Sequence, residues 1–253
     1  MEKLSWQEPF VQFGVGAFET MRYQNGNISL EAFHKRRLAK AIRHWSLKPH
    51  AIEVPWGMLH EQLKALDSRN VYRVKLLIGL GENNQLCAHV FHKPHQDNTA
   101  PRRLIRHRPH SNQLSPYKSS SYEQHFLARR EAIRLGWDDA IYITEKGSLL
   151  ETSTAAMFIK SDDDLFCVRQ GDFLDSVLKN ALLERFTNQV KVCRDIHLSQ
   201  IHSNGLLMGN ALQGLIAVDS VSEDPKTRTE YTPLGIEQKW IDHWNQRLFG
   251  EPS

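Results

Sequence analysis

A mixed α/β fold, α+β in character and divided between two domains, is predicted by three observations. The first is a strand, Asn-Gly turn, strand sequence at MRYQNGNISL that runs into a helix-period pattern, EAFHKRRLAKAIRHWSL. The second is a helix-like stretch, YEQHFLARREAIRLG, followed by two short β-prone runs either side of the turn EKGS. The third is a shift to proline, arginine and polar residues across NTAPRRLIRHRPHSNQLSP, between the other two. Together they predict an N-terminal α/β domain over 1–106, an interdomain loop over 107–115 and a C-terminal α/β domain over 116–253.

Taken in order, VQFGVGAFET carries two glycines into a strand, and Asn25-Gly26 closes a hairpin. Strand alternation puts Phe18, Thr20 and Arg22 on one face and Glu19, Met21 and Tyr23 on the other. The following helix has Phe33, Leu38, Ile42 and Trp45 near one stripe, with Lys35, Arg36, Lys40 and Arg43 on a wet face. A helix is expected from about Val54 to Leu66, then two strands, VYRVKLLIGL and LCAHVFHK, around the loop GENNQ. The arginines Arg102, Arg103, Arg106 and Arg108 read as a soluble connector, with a contact to a substrate carboxylate as the minor reading. In the next helix Phe126, Leu127, Ala128, Ala132, Ile133 and Leu135 are expected to form one buried stripe, stopped by Gly136. AIYIT and SLL then make a hairpin, TSTAAMFIK and LFCV two more strands, and a Gly-Asp turn leads into the helix containing SVLKNALLERF. A strand at QVKVCRDI, a helix near LSQIHS and an amphipathic helix through IEQKWIDHWNQRLF complete the chain.

Composition excludes several classes. A net charge of +3 with basic residues spread along the chain gives no nucleic-acid footprint and would tolerate an acidic substrate. The start, MEKLSWQEPF, lacks the apolar core of a signal peptide, and no apolar run approaches the ~18 residues of a membrane helix. Cys87, Cys167 and Cys193 are three in number and sit in strand-like contexts, so reduced core residues and a cytoplasmic location are expected. The thirteen histidines show no metal-ligand spacing, and no metal is expected.

Lys118 would pass for a solvated cation if it stood alone. Its neighbours change that reading. A lysine, an alanine-bearing helix, a glycine before acidic residues, an apolar strand, a glycine turn and the carboxylate Glu151 follow one another through WDDAIYITEKGSLLETS. This order resembles the fold-type IV pyridoxal-phosphate enzymes, the class IV aminotransferase family. FGVGAFETMR, His34 with Arg37 and Leu38, and GNALQG extend the resemblance over nearly the whole chain. The last of these is nearest to the 4-amino-4-deoxychorismate lyases of the family, with branched-chain and D-amino acid aminotransferases as cousins.

The resemblance implies pyridoxal 5'-phosphate as cofactor and a role for each matched residue. Lys118 would form the resting Schiff base and, once displaced, move protons as a free amine. Glu151 would keep the ring nitrogen protonated. Arg37 would hold the phosphate with its planar fork. The backbone at Ser176, Val177 and Leu178, at a helix start, would supply amides to the same phosphate, and Asn210 with the amide of Ala211 would complete the cradle. For Asn210 alone, turn formation is the plainer reading. Tyr122 would bond the ring hydroxyl or line the substrate pocket, with core packing as the equal alternative. Val15, Ile78, Ala156, Ser176 and Leu178 depart from the family pattern.

Three functions follow as expectations. The leading one is a homodimeric lyase acting on a small amine that carries carboxylates, releasing pyruvate and 4-aminobenzoate. GNALQG, the short chain and Ile78 in place of a family arginine favour it. The others are a small class IV aminotransferase and a non-catalytic relative that uses the scaffold as a binding module.

Overall fold

The computed structural model of the protein describes residues 9–45, 54–81, 86–109, 116–168, 173–224 and 230–250. The Trp45 side chain, the GENNQ loop over 82–85, the Gly-Asp turn over 169–172 and residues 110–115 of the expected interdomain loop lie outside the described residues. The chain forms two compact units, Met1–Gln96 with Gln113–Tyr122, and Asp97–Asn112 with Glu123–Ser253.

In the first unit, α1 (Pro9–Phe13), β1 (Gly16–Gln24), β2 (Asn27–Ile28), α2 (Glu31–Trp45), α3 (Trp56–Leu63), β3 (Tyr72–Leu80) and β4 (Leu86–Pro94) follow in order. The strands form an antiparallel sheet in the order β2-β1-β3-β4. Asn25 and Gly26 have φ of 51° and 77°, the left-handed pair that a two-residue turn with the twist of its strands requires. Ala17, Met21 and Tyr23 share a buried cluster with Leu38, Ile42, Leu59, Leu63 and Ile78, so one face of the sheet is packed with apolar helix residues. The predicted stripe of α2 is buried at Phe33, Leu38 and Ile42, and Lys35, Arg36 and Arg43 are exposed.

Because β2 pairs only with Tyr23 and Gln24, the first half of β1 would present an open edge. Residues 118–120 cover it. Phe18 N–H donates to the Lys118 carbonyl at 2.9 Å, Ser120 N–H to the Gly16 carbonyl at 2.8 Å, and Ser120 Oγ to the Gly14 carbonyl.

The second unit contains β5 (Arg102–His107), α4 (Glu123–Arg134), β6 (Asp139–Ile143), β7 (Leu149–Thr152), β8 (Ala156–Ser161), β9 (Asp164–Val168), α5 (Val177–Arg185), β10 (Val190–Cys193), a 3-10 turn (Leu198–Ser203), β11 (Gly205–Asn210), β12 (Gly214–Ser222), β13 (Glu230–Tyr231) and α6 (Gln238–Phe249). The sheet runs β10-β9-β8-β11-β12-β5-β6-β7, and β7 pairs back onto β8 through Glu151 and Ala156. The strands from β8 to β7 therefore close on themselves. Leu104, Ile141, Ile143, Leu149, Met157, Met208, Ile216 and Val218, drawn from all six, share one buried cluster. No helix among the described residues is long and apolar enough to cross a membrane.

Three expectations are corrected here. Arg102–His107, read as connector, is a strand between β12 and β6 and parallel to both, with Leu104 and Ile105 buried. Its arginines serve the fold: Arg106 donates to Glu223 and to the Thr144 carbonyl, each at 3.0 Å, and Arg103 to the Gly136 carbonyl at 2.6 Å. The boundary moves accordingly, since β5 belongs to the second unit and the Lys118 segment, paired to β1, belongs to the first. Finally, α4 buries only its two alanines, Ala128 and Ala132, in a cluster with Ala140 and Tyr142, while Phe126, Leu127 and Ile133 are 60%, 49% and 55% exposed. Small side chains allow a close approach to the sheet, and they, not the bulky ones, set the helix's inner face.

Candidate functional site

In the first unit, strand alternation places Glu19 on the packed face of β1, 1% exposed, opposite His34 and Arg37 of α2. These two residues are three apart, hence neighbours on one helix face. Arg37 donates from Nε to Glu19 Oε1 at 2.8 Å and from Nη2 to Oε2, and His34 Nδ1 is 2.7 Å from Oε2. Burial pushes the Glu19 carboxyl up, but the charges of Arg37 and His34 and their hydrogen bonds outweigh it and hold the group at about 2. His34 is drawn below its ordinary value by burial first; Glu19 opposes this, and Arg37 and Lys118 add to it. One edge of the Arg37 fork is thus fixed by Glu19. Glu19 was not singled out from sequence, although a carboxylate among Met21 and Tyr23 on an apolar strand face was a legible signal.

The Lys118 amine lies beside a pair of rings, 4.6 Å from the centre of Phe18 and 4.7 Å from that of Tyr122, which meet edge to face at 5.3 Å. Lys75 Nζ lies 4.4 Å from the same Phe18 ring, so two amines share one aromatic ring. Burial, then the charge of Arg73, lowers the Lys75 amine below the usual lysine range. Ile78 is fully buried on the opposite face of β3, in the apolar cluster, where an arginine would be costly to bury. Its identity therefore follows from packing, and the cations of this strand stand at Arg73 and Lys75.

In the second unit, Glu151 is 8% exposed at the end of β7, and its Oε1 accepts the Leu174 amide at 3.3 Å. Burial, then the charges of Glu151 and Asp139, raises the Tyr142 hydroxyl far above its ordinary value. Lys179 is also buried; desolvation lowers its amine against the pull of Cys167, Asp175 and Glu151, and its Nζ donates to the Val168 carbonyl at 3.5 Å. The turn after Glu151 is tied down at Asp139, which accepts from the Ser153 hydroxyl and, at 2.6 Å, from that of Thr154.

Helix α5 starts at Ser176, whose backbone is extended and whose Oγ accepts the Lys179 amide at 3.3 Å. Serine at this departure from the family pattern therefore has a local reason, an N-cap. The amides of Val177 and Leu178 head the helix, where no helical carbonyl can reach them. Asn210 Oδ1 accepts the amides of Leu212 and Gln213, both at 3.0 Å, and its Nδ2 donates to the Thr154 carbonyl at 3.3 Å. It forms the turn and joins the β11–β12 hairpin to the loop after Glu151. Gly209 brings the helix start against this hairpin: a Cβ there would lie 2.5 Å from Leu178 Cδ2 and 3.0 Å from the Gly214 carbonyl. Gly209→Ala is expected to lower stability by about 1–3 kcal/mol. Urea unfolding checks this, with Gly235→Ala, which meets nothing within 4 Å, as the control.

Of the residues expected from sequence, Arg37, Lys118 and Tyr122 lie in the first unit, and Glu151, Ser176, Val177, Leu178, Asn210 and Ala211 in the second. Within the first, Glu19 and Lys75 join them. Taken separately, a helix start in the second unit suits an anion, and in the first unit an amine beside aromatic rings suits a planar carbonyl compound.

The profile of amino-transferase class IV matches residues 16–221. No curated protein sequence matches the chain. Among solved structures, a hypothetical aminotransferase from Mycobacterium tuberculosis in its PLP-bound form has a TM-score of 0.79 at 16% identity, covering 100% of this chain and 95% of that one. A protein of Legionella pneumophila described as a candidate 4-amino-4-deoxychorismate lyase has a TM-score of 0.75 at 21% identity, covering 97% and 96%. The branched-chain aminotransferase of the archaeon Thermoproteus uzoniensis, with norvaline, has a TM-score of 0.78 at 16% identity, covering 99% and 91%. At these identities the likeness shows the fold alone.

Proposed function

The chain belongs to the class IV aminotransferases, and from that premise we propose that it is a lyase of the class, converting 4-amino-4-deoxychorismate to 4-aminobenzoate and pyruvate. The cofactor is pyridoxal 5'-phosphate, which when bound withdraws electrons from the bonds next to the substrate nitrogen. In this reading Lys118 holds the cofactor at rest and, when freed, takes the proton from the amine-bearing carbon of the substrate. The bond from the ring carbon to the ether oxygen then breaks, enolpyruvate leaves and takes up a proton at its methylene carbon to become pyruvate, and the remaining ring becomes aromatic. Glu151 keeps the heterocycle nitrogen protonated, Arg37 and the amides of Val177, Leu178 and Ala211 grip the phosphate, and Tyr122 walls the reacting amine.

The observation that carries the choice of an acidic substrate is the pair of amines on Phe18. Lys118 is committed to the chemistry, so Lys75 is the cation available to a substrate carboxylate. The Asn210-Ala211-Leu212 turn, which resembles the corresponding segment of the lyases, favours the lyase. A small aminotransferase of the same class is the second reading, since Lys118 and Glu151 serve both reactions. A homodimer and a cytoplasmic location belong to the same proposal; exposed Phe126, Leu127 and Ile133 offer apolar surface of the kind a second copy covers.

Coupled assays test it. Pyruvate and 4-aminobenzoate are expected from aminodeoxychorismate without an amino donor, whereas turnover only with a donor and a keto acid would reject the lyase. Lys75→Met is expected to raise KM by about 10–100-fold with a smaller change in kcat, as for a contact made to substrate and transition state alike.

A further inference from the structure

Nε2 of His34 is buried without a hydrogen-bond partner among the described residues, in a side chain that is 0% exposed. A buried polar atom left unmade is costly, and its retention asks for a ligand. The other ring nitrogen is engaged with Glu19 Oε2, the same oxygen that receives Arg37 Nη2, so imidazole and guanidinium are fixed side by side on one carboxylate. Glu19 from β1 acts on the ring as a negative charge, and Arg37 from the same helix and Lys118 from the covering segment act on it as positive charges.

We infer that His34 is a second ligand to the anion held by Arg37, donating from Nε2 as an imidazolium, so that entry of a phosphate monoester takes up one proton from solvent. The inference rests on reading Arg37 as the phosphate anchor. Without the anion, burial and the two cations keep the imidazole neutral near neutral pH, with its Nδ1 proton given to Glu19. A dianion against Nε2 adds negative charge and an acceptor, and both favour the charged ring. Binding therefore raises the proton affinity of His34, and uptake is greatest between its values in the free and bound protein.

Sulfate tests this cleanly, because its own charge does not change near neutrality. The full-length chain, stripped of cofactor, is titrated with sulfate by calorimetry at about pH 7.5 in two buffers of different ionisation enthalpy. About one proton is expected to be taken up per sulfate bound. His34→Gln is expected to bind sulfate about tenfold more weakly and without proton uptake. Proton-neutral binding by the unaltered chain, or undiminished uptake in His34→Gln, would overturn the inference. If that proton-neutral binding is also abolished by Arg37→Ala, the phosphate anchor survives and only the role of His34 falls. Failure of the unaltered chain to bind sulfate would remove both.

Discussion

Lys118→Ala is expected to reduce turnover by about a thousandfold or more, the scale on which positioned acid–base groups act, and to yield a colourless protein. The change should leave the fold nearly intact, because the structural task at this position belongs to the backbone. The Lys118 carbonyl accepts the Phe18 amide, and alanine keeps that bond. What is lost is an ammonium seated beside Phe18 and Tyr122, worth about 1 kcal/mol. Unfolding by urea and circular dichroism should therefore nearly superimpose on those of the unaltered chain. Borohydride treatment of the cofactor-loaded protein, followed by peptide mapping, should place the label on Lys118. Finding it on the buried amine of Lys179, or ordinary activity in the alanine variant, would end the assignment.

Glu19→Gln should destabilise the protein by roughly 3 kcal/mol at neutral pH, the equivalent of lowering a carboxyl from 4.5 to about 2. Glutamine keeps the shape but leaves Arg37 buried without its counter-charge. The sign follows from the depressed value: the contribution is complete above 4.5 and disappears as pH falls toward about 2. Urea midpoints measured across that interval should therefore fall for the unaltered chain and lose this component in the variant. Equal stability of the two proteins at pH 7 would show that the Glu19, His34 and Arg37 cluster is not what holds β1 to α2. The same variant should bind cofactor weakly, since the guanidinium loses the partner that fixes its plane.

Much of the architecture was legible because its causes are local. Asn25-Gly26 can hardly do anything but turn, and the spacing of Phe33, Leu38 and Ile42 marks the inner side of α2. Strand β5 was not legible. Arg102–His107 carries only Leu104 and Ile105 as apolar residues, and Arg106 finds its acceptor Glu223 117 residues away. Nothing within a short window announces parallel pairing on both sides. The inner face of α4 was misjudged because apolar size was taken as the guide, whereas Ala128 and Ala132 give the closer packing. For the candidate site, motif order named Lys118, Arg37 and Glu151, but not the groups packed beside them. Lys75 gains its meaning only when β3 is paired with β1 and brings it to the Phe18 ring.

The segment that seals β1 also sets a timetable. Gly14 and Ser120 are hydrogen-bonded partners 106 residues apart, and the intervening chain includes β5, which pairs elsewhere. During synthesis, the first sheet must wait with one margin unmatched until Ser120 leaves the ribosome, by which time the opening strand of the second unit has already emerged. Nascent chains arrested shortly before residue 118 should accordingly be more prone to self-association than chains arrested a few tens of residues later.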